Sequence, residues 1–486
     1  MRQPPAIMTE QLLDKSTEPR ATRPGILVVS SGPVGRHMAG PAIRSVELAG
    51  ALARAGLRVT LLTPNQTPPS GDGFEVRSHA GREGLAVAAL DTHDVLLCQG
   101  YTLSQMPALA RLGKCLVLDL YDPFPLENLH VYRGCSSDER QRMAAIDVAF
   151  LNTQLLLGDF FLCASERQRD FWLGLLAANG RLSPGSFDLD PSFRRLIDVV
   201  PFGVPARVPA GGQPVLKGVT PGIAREDEVV LWGGGAWDWL DPVTAVEAMS
   251  RLRHRRPRAR LVFLGVRSPD STVKGGSAVK AAQALARRLE LDGRSVFFRS
   301  WTPYADREGF LLEADVGLSL HGDHLESHFA MRSRLLDCVW AGLPMVLTRG
   351  DVLADKLAAA GVARLVEPAS AGAVADAIEA LLEPGTREGM AGAFGRLRDE
   401  FSWDKAAGPL IRYCQDPVRA PDNLRAPDRF REWPEVASGG TQPLTGPWWT
   451  LPLRAMDHLR RGGIQQLRLA AADHLRRRRL EAARRQ

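Results

Sequence analysis

Twelve short runs of β-branched and aliphatic residues punctuate this chain, and they fall into two groups with a break between them. The first group is ILVVS (26–30), RVTLLT (58–63), DVLLC (94–98), CLVLD (115–119), FFLCA (160–164) and DVVP (198–201). Helix-length segments separate the runs, which is the pattern of βαβ units feeding a parallel sheet buried on both faces. A Pro- and Gly-rich bridge, FGVPARVPAGGQPVLKGVTPG (202–222), interrupts the pattern. It then restarts with VVLWGG (229–234), RLVFLG (260–265), SVFF (295–298), DVGLSL (315–320), PMVLT (344–348) and ARLV (363–366). At 486 residues one core is not enough, because single cores stop growing near ~250–300 residues. The expectation is an α/β chain with two doubly wound Rossmann-like domains, 25–205 and 206–414, facing a cleft. In such sheets ligands sit outside the carboxyl ends of the strands, so the loops after the strands are where chemistry belongs.

The flanks read differently. Residues 1–24 form a polar arm, expected to be disordered, with no apolar core of a signal peptide. Residues 415–452 are dominated by proline, glycine and charge and sustain no hydrophobic period. Residues 453–486 form a basic amphipathic tail: from Arg454 onward it carries ten arginines against three acids, a charge of +7, which leaves the body at −1. With its apolar residues near helical spacing and Trp448–Trp449 just before it, the tail suits an interfacial helix on anionic lipid. Packing back on the body and an arginine-rich nucleic-acid arm are the alternatives, and a neutral body argues against a nucleic-acid partner. No run of 18 apolar residues occurs to span a bilayer. The six cysteines show neither zinc spacing nor a disulfide framework, so the chain is expected in the cytoplasm, with the tail placing it at the cytoplasmic face of the inner membrane.

Two stretches concentrate the chemistry. After the first strand, SGPVGRHMAGPAIR brings Gly32, Gly35 and Gly40 for tight turning and Pro41 for the first helical position. The exposed N–H groups at such a helix start form an anion site. Arg44, one turn in, faces either the cleft or solvent. Further on, HFAMRSRLLDCVWAGLPMVLTRG (328–350) sets Arg332, Arg334 and Asp337 at the mouth of an otherwise apolar helix. One reading is that the carboxylate complements the helix dipole and the arginines are surface charges; the other is that all three hold a ligand.

The segments MAGPAIRSVELAGALARAGLRVTLLT, FFLCASERQRDFW, VVPFGVP and RSRLLDCVWAGLPMVLTRGD, in that order, together resemble bacterial glycosyltransferases of the GT-B fold, family 4. The likeness covers roughly residues 25 to 410. It implies a nucleotide-sugar donor on the second domain, an acceptor on the first, retaining transfer, no cofactor and no metal. Asp337, before CVWAGLP, falls where the family's carboxylate accepts the donor ribose hydroxyls, and a carboxylate can accept two at once. Arg332 and Arg334 would then neutralise the diphosphate.

Departures from the family pattern shape the remaining expectations. A second family glutamate falls on Phe329, and Glu326 lies three residues earlier, so Glu326 is the candidate for the sugar hydroxyls. The loop GGGAWDWLDP (233–242) lacks the family's cations, although Gly234 and Gly235 allow close backbone approach and Trp237 and Trp239 can wall a sugar. Where relatives carry a His-Asp pair, this chain has Tyr121-Asp122 within DLYDPF (119–124). Tyrosine is a poor base near neutrality, with a reference pKa of about 10. Same-face transfer, in which the departing phosphate takes the acceptor proton, tolerates that change. The catalytic candidates are therefore Tyr121, Asp122 and Glu326, with Gly32, Gly40, Arg44, Gly234, Gly235, Trp237, Arg332, Arg334 and Asp337 for the donor. The DxD in FDLDP (187–191) lies in a loop and is not read as a metal site.

The expected activity is transfer of a sugar, of the hexosyltransferase type, from a nucleotide-sugar to a hydroxyl acceptor such as a glycan or a lipid-linked saccharide, in surface-glycan synthesis. A catalytically silent GT-B partner subunit and a GT-B nucleotide-sugar epimerase are the rival readings.

Overall fold

A computed structural model of the chain describes residues 23–99, 102–266 and 276–425. The first sheet has seven strands: β1 (Gly25–Val29), β2 (Arg58–Thr63), β3 (Glu75–Ser78), β4 (Val95–Gln99), β5 (Cys115–Asp119), β6 (Phe160–Cys163) and β7 (Ile197–Val199), in the order 3-2-1-4-5-6-7. The second has six: β8 (Glu228–Trp232), β9 (Ala259–Phe263), β10 (Val296–Phe298), β11 (Val316–Ser319), β12 (Met345–Thr348) and β13 (Ala363–Val366), in the order 10-9-8-11-12-13. Every pairing between named strands is parallel. The fold is therefore two doubly wound α/β domains, as the alternating pattern predicts.

β3 is the strand the pattern misses. Its sequence EVRS sits at the sheet edge with an exposed–half-buried alternation, whereas β1, β4 and β5 are buried at every position. An edge strand need not be apolar, so hydrophobicity does not reveal it.

Each sheet reverses its strand order once, between β1 and β4 and between β8 and β11, and the crevices outside those strand ends are where a ligand fits. Local signals set the helices that border them. Pro41 stands at the start of helix Gly40–Arg54. Asp241 caps helix Pro242–Leu252 through the Thr244 amide, at 3.0 Å, and Asp351 caps helix Val352–Ala359. Helix Ser333–Ala341 stops on Gly342, whose φ of +62° is left-handed, and Leu343-Pro344 leads directly into β12.

The chain returns to the first domain after the second sheet. Val204 in the bridge pairs with residues 401–403, and Trp403 packs on Phe202 at 4.9 Å. Gly203 leaves room for that indole, since a Cβ there would come within 2.6 Å of it. Tyr413 stacks on Phe160 at 4.5 Å. A short helix, Pro421–Arg425, follows in the stretch read as lacking periodic structure, and Asp422 in it pairs with Arg181, whose side chain is fully buried. The 1–22 portion of the N-terminal arm, residues 426–452 of the Pro/Gly-rich segment and the basic tail lie outside the described residues. Among the described residues no helix is long and apolar enough to cross a membrane.

Candidate active site

Loops leaving the carboxyl ends of β1, β5, β8, β10 and β11 meet around a cavity of about 310 Å3. Ten of the sequence candidates line it: Gly40, Tyr121, Asp122, Gly234, Gly235, Trp237, Glu326, Arg332, Arg334 and Asp337. Two do not. Gly32 stands on the turn after β1, where the Ser30 hydroxyl donates to its carbonyl at 2.8 Å.

Arg44 is a correction to the sequence reading, because it faces neither cleft nor solvent. It is fully buried. Its Nε and Nη2 donate to Asp119 at 2.6 and 3.0 Å, and its Nη1 and Nη2 donate to the carbonyls of Pro201 and Val200 at 2.9 and 2.8 Å. Its guanidinium also lies 4.9 Å over the Tyr121 ring. Arg44 thus braces the site from beneath, and Asp119, the carboxylate at the end of β5, is engaged with it. The partners lie 75 residues or more away in sequence, so local reading could not find them.

The two arginines at the helix mouth differ sharply. Arg332 is nearly buried and lies between two carboxylates, with Nη2 3.0 Å from Glu326 and Nε 3.2 Å from Asp351. It also donates to the Ser327 hydroxyl at 3.2 Å. Its charge is compensated inside the protein, which corrects the expectation that it is free to neutralise a diphosphate. Arg334 has no carboxylate partner among the described residues, and its buried Nη1 makes no hydrogen bond. Its guanidinium lies 5.9 Å from the Trp232 ring centroid. Burial and the charge of Arg332 pull its pKa down to about 9. An under-compensated cation at the start of a helix attracts an anion.

Asp337 accepts from Arg307 Nε at 3.0 Å. Arg307 lies 3.5 Å over the Tyr304 ring and donates to its hydroxyl at 2.9 Å. Asp337 also lines a smaller, more apolar cavity of about 100 Å3 with Leu264, Gly265, Trp301 and Leu311. One carboxylate therefore borders both spaces.

On the first domain's side the cavity is acidic. Burial, then the charge of Asp119, pushes Asp122 up to about 7. Burial, with Asp122 and Glu326 nearby, raises Glu127 well above the usual carboxylate range. Burial and Asp122 also hold the Tyr121 phenol well above its ordinary value, so it keeps its proton near neutrality. Phe329, at the position of the family's second glutamate, packs on Phe171 at 4.7 Å, whereas Glu326 reaches the cavity.

Sequence reasoning missed Glu127, Trp301 and Arg307. Glu127 follows Asp122 by five residues in DPFPLEN, on helix Phe124–Val131, and Trp301 follows the β10 strand; both sit in strand-exit segments, where such sheets place a ligand. No local signal marks Arg307, because its importance comes from its contact with Asp337.

No protein-family model matches the sequence, and neither does any curated protein. Solved structures are similar in fold. A sucrose-phosphate synthase from Thermosynechococcus elongatus superposes with a TM-score of 0.55 at 15% identity, over 80% of this chain and 98% of that one. Anabaena HepE, solved in complex with UDP-glucose, gives 0.54 at 13% identity over 82% and 100%. WaaG, a glycosyltransferase involved in lipopolysaccharide biosynthesis, gives 0.54 at 18% identity over 81% and 100%. The two parallel sheets and these likenesses define a two-domain GT-B fold.

Proposed function

We propose that this chain is a glycosyltransferase that moves a sugar from a nucleotide-sugar to a hydroxyl acceptor. The observation that carries the reading is Arg334, an under-compensated guanidinium at the N-terminus of helix Ser333–Ala341, two residues from Arg332 and three from Asp337. A nucleoside diphosphate satisfies this arrangement. Its phosphates would face Arg334 and the backbone at Gly234 and Gly235, its ribose hydroxyls would donate to Asp337, and its base would enter the smaller cavity beside Trp301. HepE, of similar fold, was solved with UDP-glucose, a ligand of this class.

Transfer would form a bond between the acceptor oxygen and the anomeric carbon as the bond from that carbon to the phosphate oxygen breaks. In the retaining course that the family resemblance implies, both events occur on one face and the departing phosphate takes the acceptor proton. Asp122 and Tyr121 then position the acceptor rather than abstract its proton. Glu326, already paired with Arg332, offers its remaining acceptor capacity to the transferred sugar. The reading calls on no metal and no cofactor.

The test is a melting curve with UDP, GDP or ADP. A ligand at 100 times its dissociation constant stabilises by about 2.7 kcal/mol, and one of the three is expected to raise the melting temperature in wild type and, at the same concentration, by about half as much or less in Arg334→Ala. No shift with any nucleotide would favour a silent partner subunit. Interconversion of nucleotide-sugars without release of nucleoside diphosphate would instead identify an epimerase.

Surface-glycan or lipid-linked saccharide synthesis at the cytoplasmic face of a membrane is the setting that the basic tail supports. Co-sedimentation with anionic vesicles at low salt, abolished by deleting residues 447–486, is the expected behaviour; persistence of binding in the truncated chain would reject it.

A further inference from the structure

The loop that leaves β8, GGGAWDWL (233–240), contains no cation and brings two indoles to the cavity instead. Trp237 and Trp239 are nearly parallel, 19° apart with centroids separated by 5.9 Å. Trp301 stands 6.4 Å from Trp237. All three line the main cavity, but only Trp301 also lines the smaller one assigned to the nucleoside.

The indoles are held in place. A Cβ at residue 235 would come within 2.7 Å of the Trp237 ring, so glycine is what lets that ring lie down on the backbone. Asp238, between the two tryptophans, accepts from the Ala278 amide at 2.9 Å and the Ser277 hydroxyl at 3.1 Å, which ties the loop to helix Ser277–Arg288. His324 Nε2 lies 2.9 Å from the Trp239 carbonyl, and its ring packs against His130 at a tilt of 54°, with centroids 4.4 Å apart. The Trp239 end of the pair therefore meets helix Phe124–Val131, the helix that carries Glu127. Asp122 and Glu127 line the same cavity from the first domain.

Parallel indole faces sharing a cavity with carboxyl groups suit a pyranose. Its apolar C–H face covers an indole, while its hydroxyls bond the carboxyls, which are costly to leave unpartnered when buried. A purely apolar ligand leaves Asp122 and Glu127 unsatisfied, whereas sugar hydroxyls can both donate to and accept from them. Resting on the nucleotide-sugar reading for the donor's side of the cavity, we propose that Trp237, Trp239 and Glu127 form the subsite for the terminal pyranose ring of a saccharide acceptor.

Saturation-transfer NMR with a panel of methyl hexopyranosides and methyl 6-deoxyhexopyranosides, on protein loaded with UDP or, where UDP gives no melting shift, with whichever of GDP and ADP does, tests this. At least one glycoside is expected to take up saturation chiefly at the C–H protons of one ring face. Trp237→Ala and Trp239→Ala should reduce that signal at least fivefold, Glu127→Gln should reduce it severalfold, and Trp237→Phe should retain most of it. The Phe variant and a melting curve for each protein separate loss of stacking from loss of fold. The UDP-induced melting shift should survive in all four variants. Retention of the glycoside signal in both alanine variants, or no signal from any glycoside in wild type, would overturn the assignment. Loss of the UDP shift together with the glycoside signal in a folded variant would also overturn it, by placing the indoles on the nucleotide. Absence of a shift with UDP, GDP and ADP alike in wild type, alongside an indole-dependent glycoside signal, would instead count against the donor reading and leave the saccharide site standing.

Discussion

A single residue, Ser333, separates Arg332 from Arg334, yet their surroundings give them opposite work. Arg332 lies between Glu326 and Asp351, each 1% exposed at the side chain, so Arg332→Ala strands two buried carboxylates. Breaking a buried pair this way costs roughly 3–5 kcal/mol, and denaturant titration is expected to show a loss of that order. Arg334→Ala removes a cation that already bears a burial penalty, so stability should hold. Nucleoside diphosphate affinity should instead fall at least tenfold by calorimetry, since charge-assisted hydrogen bonds contribute about 1.5–3 kcal/mol each. Equal stability losses in the two variants would contradict this division. Asp122 makes a second residue-scale prediction. The unfolded carboxyl releases its proton near pH ~4, whereas burial keeps the folded one protonated up to about 7. Between those values the folded chain binds more protons, so this group's contribution to stability falls as pH rises, by at most about 1.4 kcal/mol per pH unit. Asp122→Asn should therefore flatten the decline, gaining on the parent at pH 8 but not at pH 4, as read by melts across that range.

At the scale of elements, the helix Gly40–Arg54 of the first domain is wired to the Asp337 side of the second. Glu47 accepts from the Tyr304 hydroxyl at 3.3 Å, Tyr304 accepts from Arg307, and Arg307 holds Asp337. The Tyr304 amide also donates to the Arg36 carbonyl at 2.9 Å. Across the same interface Gln168 donates to the carbonyls of both Tyr121 and Phe329, at 2.8 and 2.9 Å. Tyr304→Phe cuts the relay at one oxygen and keeps the ring under Arg307. Nucleoside diphosphate binding should weaken about three- to tenfold, because one hydrogen bond contributes about 0.5–1.5 kcal/mol. Small-angle scattering should report a larger radius of gyration for the variant without ligand; unchanged affinity and size would dismiss the coupling. Periodicity made twelve of the thirteen strands legible in advance, most of them because a parallel strand buried on both faces is apolar along its length. The edge strand β3 and the helix Pro421–Arg425 escaped because neither is under that constraint.

For the molecule as a whole, the return of the chain after the second sheet fastens residues 401–423 to the first domain. Arg181 and Asp422 are 241 residues apart in sequence, and both side chains are at least 95% buried. Asp159, also buried, receives Arg419 at 2.9 Å. Asp422→Ala should therefore lower stability by about 3–5 kcal/mol, with nucleoside diphosphate affinity at 25 °C unchanged, because neither partner touches the cavity. A parallel loss of affinity would show that the strap also sets the cleft.

The sequence by itself determined the two parallel sheets, since runs of aliphatic residues at helix-length spacing have few other ways to bury themselves. It also pointed to the strand-exit loops as the place for a site, because topology fixes that place before any side chain is considered. Which charges there are free was decided only by the tertiary structure. Arg44, Arg332 and Arg334 are alike in type and lie near helix starts, but Asp119, Asp351 and Glu326 claim the first two and leave the third. A charge is compensated by whatever lies within a few ångströms of it, and those neighbours come from distant parts of the chain.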